Sequence, residues 1–138
     1  MKKFSLLFSC LLAFIMMTAS CTTISVDFEE GANPEMYFQR AQMASDRNDF
    51  ELAQRIYYKL LETGITDPFY VVSAKYEIAF LNYKLGKREE AIQNFEEILK
   101  TYYEDPAWEG RVPEWPQVLS KRLLQKLKPA EGATPPSP

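Results

Sequence analysis

Two pairs of adjacent carboxylates, Glu89-Glu90 and Glu96-Glu97, and two cysteines, Cys10 and Cys21, are the residues of this chain best suited to chemistry. Paired acids can divide general-acid and general-base work when their surroundings push their pKa values apart. These pairs, however, are interleaved with an apolar series, Ala91, Ile92, Phe95, Ile98, Leu99 and Tyr102, whose spacing marks one face of a helix. The glutamates then fall on the polar face, with Glu96 one turn from Lys100, and a solvated face is the expectation. Histidine is absent from all 138 residues, which removes the commonest general base and metal ligand at neutral pH. Glycine-rich phosphate loop, nucleophile elbow and cysteine cluster are missing too. The chain is therefore expected to be no enzyme, with neither metal nor cofactor.

Binding is what remains. The series above is preceded by another helix signal, with Val71, Ala74, Ile78, Leu81 and Leu85 on one face and Tyr76, Phe80 and Tyr83 in a row on a second. Leu85-Gly86-Lys87 stops it, because glycine takes up the left-handed conformation that closes a helix end. The next helix carries Glu89 and Glu90 in its first turn and Lys100 in its last, as the helix dipole favours. Two amphipathic helices on a tight turn make an antiparallel hairpin, and such a hairpin needs neighbours to bury both faces.

A second copy lies upstream. Moving back 38 positions pairs Ala79 with Ala41, Glu89 with Glu51, Ala91 with Ala53, Phe95 with Tyr57, Ile98 with Leu60 and Leu99 with Leu61. Gly86 falls on Asn48, the residue that most often replaces glycine in that conformation. Asn33-Pro34 opens the first hairpin as N-cap and first helical residue, and Gly64 followed by Asp67-Pro68 separates it from the second. The helices are expected at about 34–47, 49–63, 70–85 and from Lys87 onward. A small residue in the first helix, the turn, a second alanine, an aromatic four later and an aliphatic three after that resemble the tetratricopeptide repeat. That unit is about 34 residues long, so the extra residues fall in the connection around 63–68. Arg88 departs from the pattern where Phe50 fulfils it, and the second copy lacks the usual Trp or Leu-Gly pair. The resemblance implies an all-α solenoid of two hairpins, 34–69 and 70–105, whose first helices line an inner surface. It directs Phe38, Gln42, Tyr76, Phe80, Tyr83 and Lys84 to that surface, a groove for an extended peptide or a partner's helix. The alternative for these rings is core between the hairpins.

Residues 1–20 read as a leader. Lys2 and Lys3 precede an apolar run, 4–17, too short for an ordinary membrane span. Thr18-Ala19-Ser20-Cys21 resembles a bacterial lipoprotein cleavage site, with Thr18 where leucine is usual. Cys21 would then carry the lipid, and several acyl chains, each buried methylene adding roughly 0.8 kcal/mol, hold a protein to a membrane. Ordinary secretion with a free Cys21 is the other reading. In the lipoproteins that this site resembles, aspartate after the cysteine holds a protein at the inner membrane, so Thr22 there implies the outer membrane, on its periplasmic face, and 21–33 is expected to be a polar tether reaching on the order of 40 Å. Cys10 leaves with the leader, so no disulfide is expected. Without Lys2 and Lys3 the 16 basic residues become 14 against 19 acidic, a balance that argues against a nucleic-acid surface.

Beyond Tyr103 the chain is punctuated by Pro106, Gly110 and Pro113, and this connection holds Trp108, with Trp115 just after it. The indoles either cover the end of the helical array or serve as anchors for a partner. A last helix, 116–128, carries Val118, Leu119, Leu123, Leu124 and Leu127 as its apolar stripe and Lys121, Arg122, Lys126 and Lys128 as a basic tail. It caps the array, or lies on an anionic lipid surface. Residues 129–138, rich in proline, are expected to be disordered.

Lipidated cysteine, tether, Asn33-Pro34-Glu35 opening a run of hairpins, and Tyr83-Lys84-Leu85-Gly86-Lys87 in the second turn together resemble the N-terminal part of the BamD family, repeat lipoproteins of the outer-membrane β-barrel assembly machine. The family carries more repeats than the two read here. The resemblance implies a periplasmic scaffold whose partners are a β-barrel assembly component or unfolded outer-membrane proteins. A pilotin-like factor of another envelope machine and a regulatory subunit of a cell-wall enzyme are the alternatives.

Overall fold

The computed structural model describes residues 32–128. The expected leader, Cys21, most of the expected tether and the residues after Lys128 lie outside them. The described residues are all-helical, without strands: α1 (Pro34–Asp46), α2 (Phe50–Glu62), α3 (Pro68–Lys84), α4 (Arg88–Tyr102), a single 3-10 turn (Pro106–Trp108) and α5 (Trp115–Leu127). None of these helices is long and apolar enough to cross a membrane.

Side chains at the helix starts do what their types predict. Asn33 Oδ1 accepts from the amide of Met36 at 3.0 Å, Asp49 Oδ1 from Leu52 at 3.1 Å and Asp67 Oδ1 from Phe69 at 2.9 Å. α4 has no such cap, and its first turn carries Glu89 and Glu90 instead.

The two hairpin turns repeat each other. Asn48 has φ +60° and Gly86 +75°. The Asn48 amide donates to Ser45 O at 2.9 Å and that of Gly86 to Tyr83 O at 3.1 Å, so the bonds recur with the 38-residue shift. The next amides, of Asp49 and Lys87, reach back to Ala44 O and Asn82 O at 3.0 and 2.9 Å. These bonds satisfy carbonyls that a helix end leaves without partners.

Packing repeats as well. Ala41, Ala79, Ala53 and Ala91 are all 0% exposed, which is how facing helices come close without a larger side chain wedging them apart. Tyr57 and Phe95, then Leu60 and Ile98, occupy matching buried positions. Each helix packs on the next in sequence, and α5 packs on both α4 and α3. Two core clusters result. α1 and α2 bury their apolar faces against Ala74, Ile78 and Leu81 of α3, while Val72, Tyr76 and Ala79 of α3 join α4 and α5 in the second. Of the two faces anticipated from the spacing of α3, Ala74, Ile78 and Leu81 thus belong to one core and Tyr76, Phe80 and Tyr83 to the other, whereas Val71, expected with the first group, packs with the second.

Polar bonds tie the hairpins together. Buried Gln54 donates to Asn82 Oδ1 at 2.6 Å across the α2–α3 contact, and the Tyr70 hydroxyl donates to Glu35. The carboxylates Glu96 and Glu97 sit on the exposed face as expected, but they pair with distant lysines. Glu97 meets Lys75 at 3.3 Å, and Glu96 meets Lys128 rather than Lys100.

α5 begins at Trp115 and differs from its expected stripe at one residue. Val118 is 54% exposed, whereas Pro116, Ser120 and Leu127 are buried and Leu119, Leu123 and Leu124 partly so. Two residues on a helix are about 200° apart, so Val118 points away from the face set by Pro116 and Ser120. Arg88 donates to the Leu127 carbonyl, holding the end of α5 against the start of α4.

Candidate binding cleft

α1 and α3 present equivalent positions side by side. Gln42 and Asp46 near the end of α1 correspond, 38 residues on, to Phe80 and Lys84 near the end of α3, and all four line one cleft of about 200 Å³. Phe50, at the start of α2, and Glu77, one turn before Phe80, complete its walls. Glu77, Phe80 and Lys84 recur at three and four, the period that puts them on one face.

The polar groups are arranged unevenly. Gln42 Nε2 donates to Asp46 Oδ1 at 3.0 Å, which leaves the Gln42 carbonyl oxygen as an acceptor. Lys84 Nζ lies 5.2 Å from the centroid of the Phe50 ring, a cation–π position. Glu77 is partly buried, and desolvation raises its carboxyl above the ordinary range. No salt bridge to Glu77 occurs among the described residues. Burial first, and the Glu77 charge second, push the Tyr76 hydroxyl up to about 12 and raise that of Tyr57 as well.

Of the six residues expected on the inner surface, Gln42, Phe80 and Lys84 come together here. Phe38 instead packs edge-on against Tyr57, with centroids 5.1 Å apart, and lies 6.0 Å from Tyr70 at the margin of the first core. Tyr76 is core: 6% exposed, it lies 5.7 Å from Phe95 and takes the Trp115 indole edge-on at 4.9 Å. Tyr83 accepts a hydrogen bond from Lys126 Nζ at 2.8 Å, and the same ammonium stands 5.3 Å from its ring centroid. α5 therefore contacts the two outer rings of the Tyr76–Phe80–Tyr83 row, and Phe80 is the one of the three that reaches the cleft.

The indoles considered as partner anchors both rest on tyrosines. Trp108 packs edge-on against Tyr102 at 5.1 Å and lies beneath the Arg111 guanidinium, also at 5.1 Å. Trp115 keeps 36% of its surface exposed beside Tyr76. A larger hollow of about 350 Å³ lies under the 104–114 connection, walled by Tyr102, Tyr103 and Trp108.

Glu77, Asp46 and Phe50 are among the cleft residues that sequence reasoning missed. A signal for the first existed, since Glu77 is the one acid within α3 and shares a face with Phe80 and Lys84. Among the described residues no group of three or more His, Cys, Asp or Glu could hold a metal ion. Two carboxylates, an amide, an ammonium and a ring are groups that recognise a side chain. Compared with protein-family models, with curated proteins and with solved structures, the chain finds no match.

Proposed function

We propose that this chain is a lipid-anchored periplasmic scaffold that binds other proteins, built as a short tetratricopeptide-repeat solenoid and acting, like the BamD family it resembles, as an accessory to outer-membrane protein assembly. The observation that carries the binding reading is the shared cleft, because equivalent positions of two like-built hairpins, Gln42 with Phe80 and Asp46 with Lys84, open onto it together. The solenoid reading is supported by the turn bonds and 0%-exposed alanines that recur at the same shift. The anchor is supported by Ala19-Ser20-Cys21 after an apolar run. Without histidine in the chain, binding rather than catalysis is the role these residues suit.

The test is affinity capture of the tagged full chain from solubilised bacterial membranes, in parallel with Gln42→Ala and Asp46→Lys. Both positions are exposed, so the variants are expected to keep the fold. A barrel-assembly component or outer-membrane protein recovered with the parent and lost with the variants supports the reading. Recovery of a secretion-machine protein or a peptidoglycan enzyme would redirect it to one of the alternative envelope roles. Mass spectrometry of the mature N-terminus checks the anchor, with a diacylglyceryl Cys21 as the expected first residue.

A further inference from the structure

The cleft has more carboxylate than cation. Asp46 and Glu77 face it, against one ammonium, that of Lys84, which is exposed and drawn over Phe50. Asp46 is the last residue of α1 and Lys84 the last of α3, so two helix C-termini end beside the cleft. Helix C-termini carry partial negative charge and favour cations. Gln42 offers its carbonyl oxygen as an available acceptor among the described residues, since its amide nitrogen donates to Asp46. At about 200 Å³ the space is smaller than the roughly 300 to 1,000 Å³ typical of small-molecule sites, a size suited to one side chain.

We infer that the cleft receives a basic side chain, an arginine or lysine of a bound polypeptide, whose charged head pairs with Glu77 and Asp46 while the Phe80 ring covers its stem. This rests on the binding role proposed above and names the chemistry of the guest. Glu77 is the central counter-charge. Partly buried, and without a salt bridge among the described residues, it holds its proton more tightly than an ordinary glutamate because burial penalises its ionised form. A guanidinium supplies that compensation through paired N–H donors, and its flat face can lie on Phe80. An acidic guest would instead meet two carboxylates and two helix C-termini.

The inference is tested on the isotopically labelled full chain in detergent micelles, titrated with an acetylated and amidated pentapeptide, Leu-Ala-Arg-Ala-Leu. Its partner probe carries citrulline, the neutral isostere, in place of arginine. The arginine peptide is expected to shift the resonances of Gln42, Asp46, Glu77, Phe80 and Lys84, and the citrulline peptide to bind roughly tenfold or more weakly, as loss of a charge-assisted pair implies. Glu77→Gln, which keeps the side chain's size, should bring the arginine peptide to the citrulline affinity. Asp46→Asn at an exposed position gives a second variant that leaves the packing alone. If both peptides bind the cleft equally, or Glu77→Gln leaves arginine affinity unchanged, the charge inference is overturned while the binding role stands. If neither peptide moves these resonances, both fall together.

Discussion

A carboxylate that folding takes out of water without giving it a cation destabilises the native state whenever it is ionised. Among the described residues Glu77 is in that position, with no salt bridge, and burial holds its folded pKa above the ordinary 4.5. As pH rises, the unfolded chain loses this proton first, so the sign is fixed by linkage. The group costs nothing below 4.5, and stability falls as pH climbs from there through the folded pKa. Glu77→Gln should therefore melt higher than the parent at neutral pH and merge with it below pH 4.5, in thermal unfolding followed by circular dichroism. A variant that melts lower at neutral pH would mean that Glu77 has a counter-charge after all. The same substitution is expected to weaken peptide binding, the usual conflict between stability and a site kept ready for a ligand. The turns give a second residue-level expectation. A Cβ on Gly86 would meet nothing within 4 Å, so Gly86→Ala tests the backbone alone. At φ +75° that change should cost roughly 1 to 2 kcal/mol in denaturant unfolding, whereas Asn48→Gly at the equivalent turn should cost nothing. Filling the helix contacts is a different fault. Ala53→Leu or Ala91→Leu, at positions with 0% exposure, is expected to lower stability by roughly 1 to 3 kcal/mol through overpacking.

Between elements, the contact of α2 with α3 contains a bond that no apolar pattern could reveal. Gln54 and Asn82 read as polar letters between buried neighbours, yet they face each other at 2.6 Å inside the structure. Removing one leaves the other buried without its partner. Gln54→Leu alone should cost roughly 1 to 3 kcal/mol, and the double variant with Asn82→Leu should cost less than the two singles added, the excess measuring the pair. Additive losses would show that the two side chains do not depend on each other. Helix existence and turns were legible because each is written in local chemistry, a cap at Asn33 and left-handed closures at Asn48 and Gly86. Two starts were not: Asp49, read as the first residue of the second helix, is its cap, and α3 starts at Pro68 behind the Asp67 cap rather than at Tyr70. The cleft was legible in part, since the repeat shift pointed to Gln42, Phe80 and Lys84. What the pattern could not decide was which face of α3 a later element would cover. Tyr76 and Tyr83 have the spacing of a groove, but α5 brings Trp115 and Lys126 onto them, and that contact depends on a segment some forty residues further on, beyond any local period. Val118 was misplaced for a related reason, because a run of apolar residues does not say which two of them open the stripe.

At the scale of the molecule, α3 is the element both halves share. Its Ile78 is 4% exposed in the first core and its Tyr76 6% exposed in the second, so neither cluster closes without it. In a stacked array stability is carried by contacts between neighbours, and end elements, with a neighbour on one side, open first. Among the described residues α1 leaves Met36 and Met43 38% and 39% exposed, and α5 leaves Val118 exposed at 54%. Amide hydrogen exchange should therefore rank α3 as the slowest helix, with α1 and α5 the fastest. The sharper form of the same expectation uses two deletions of buried volume. Ile78→Ala, costing roughly 2 to 5 kcal/mol, should speed exchange in α1, α2 and α4 alike, because the helix it weakens belongs to both cores. Tyr37→Ala should act chiefly on α1 and α2, since Tyr37 is buried in the first cluster alone. If Ile78→Ala left the protection of α4 untouched, the two hairpins would be independent units merely lying in contact, and a cleft that takes one wall from each would have no fixed shape to offer a partner.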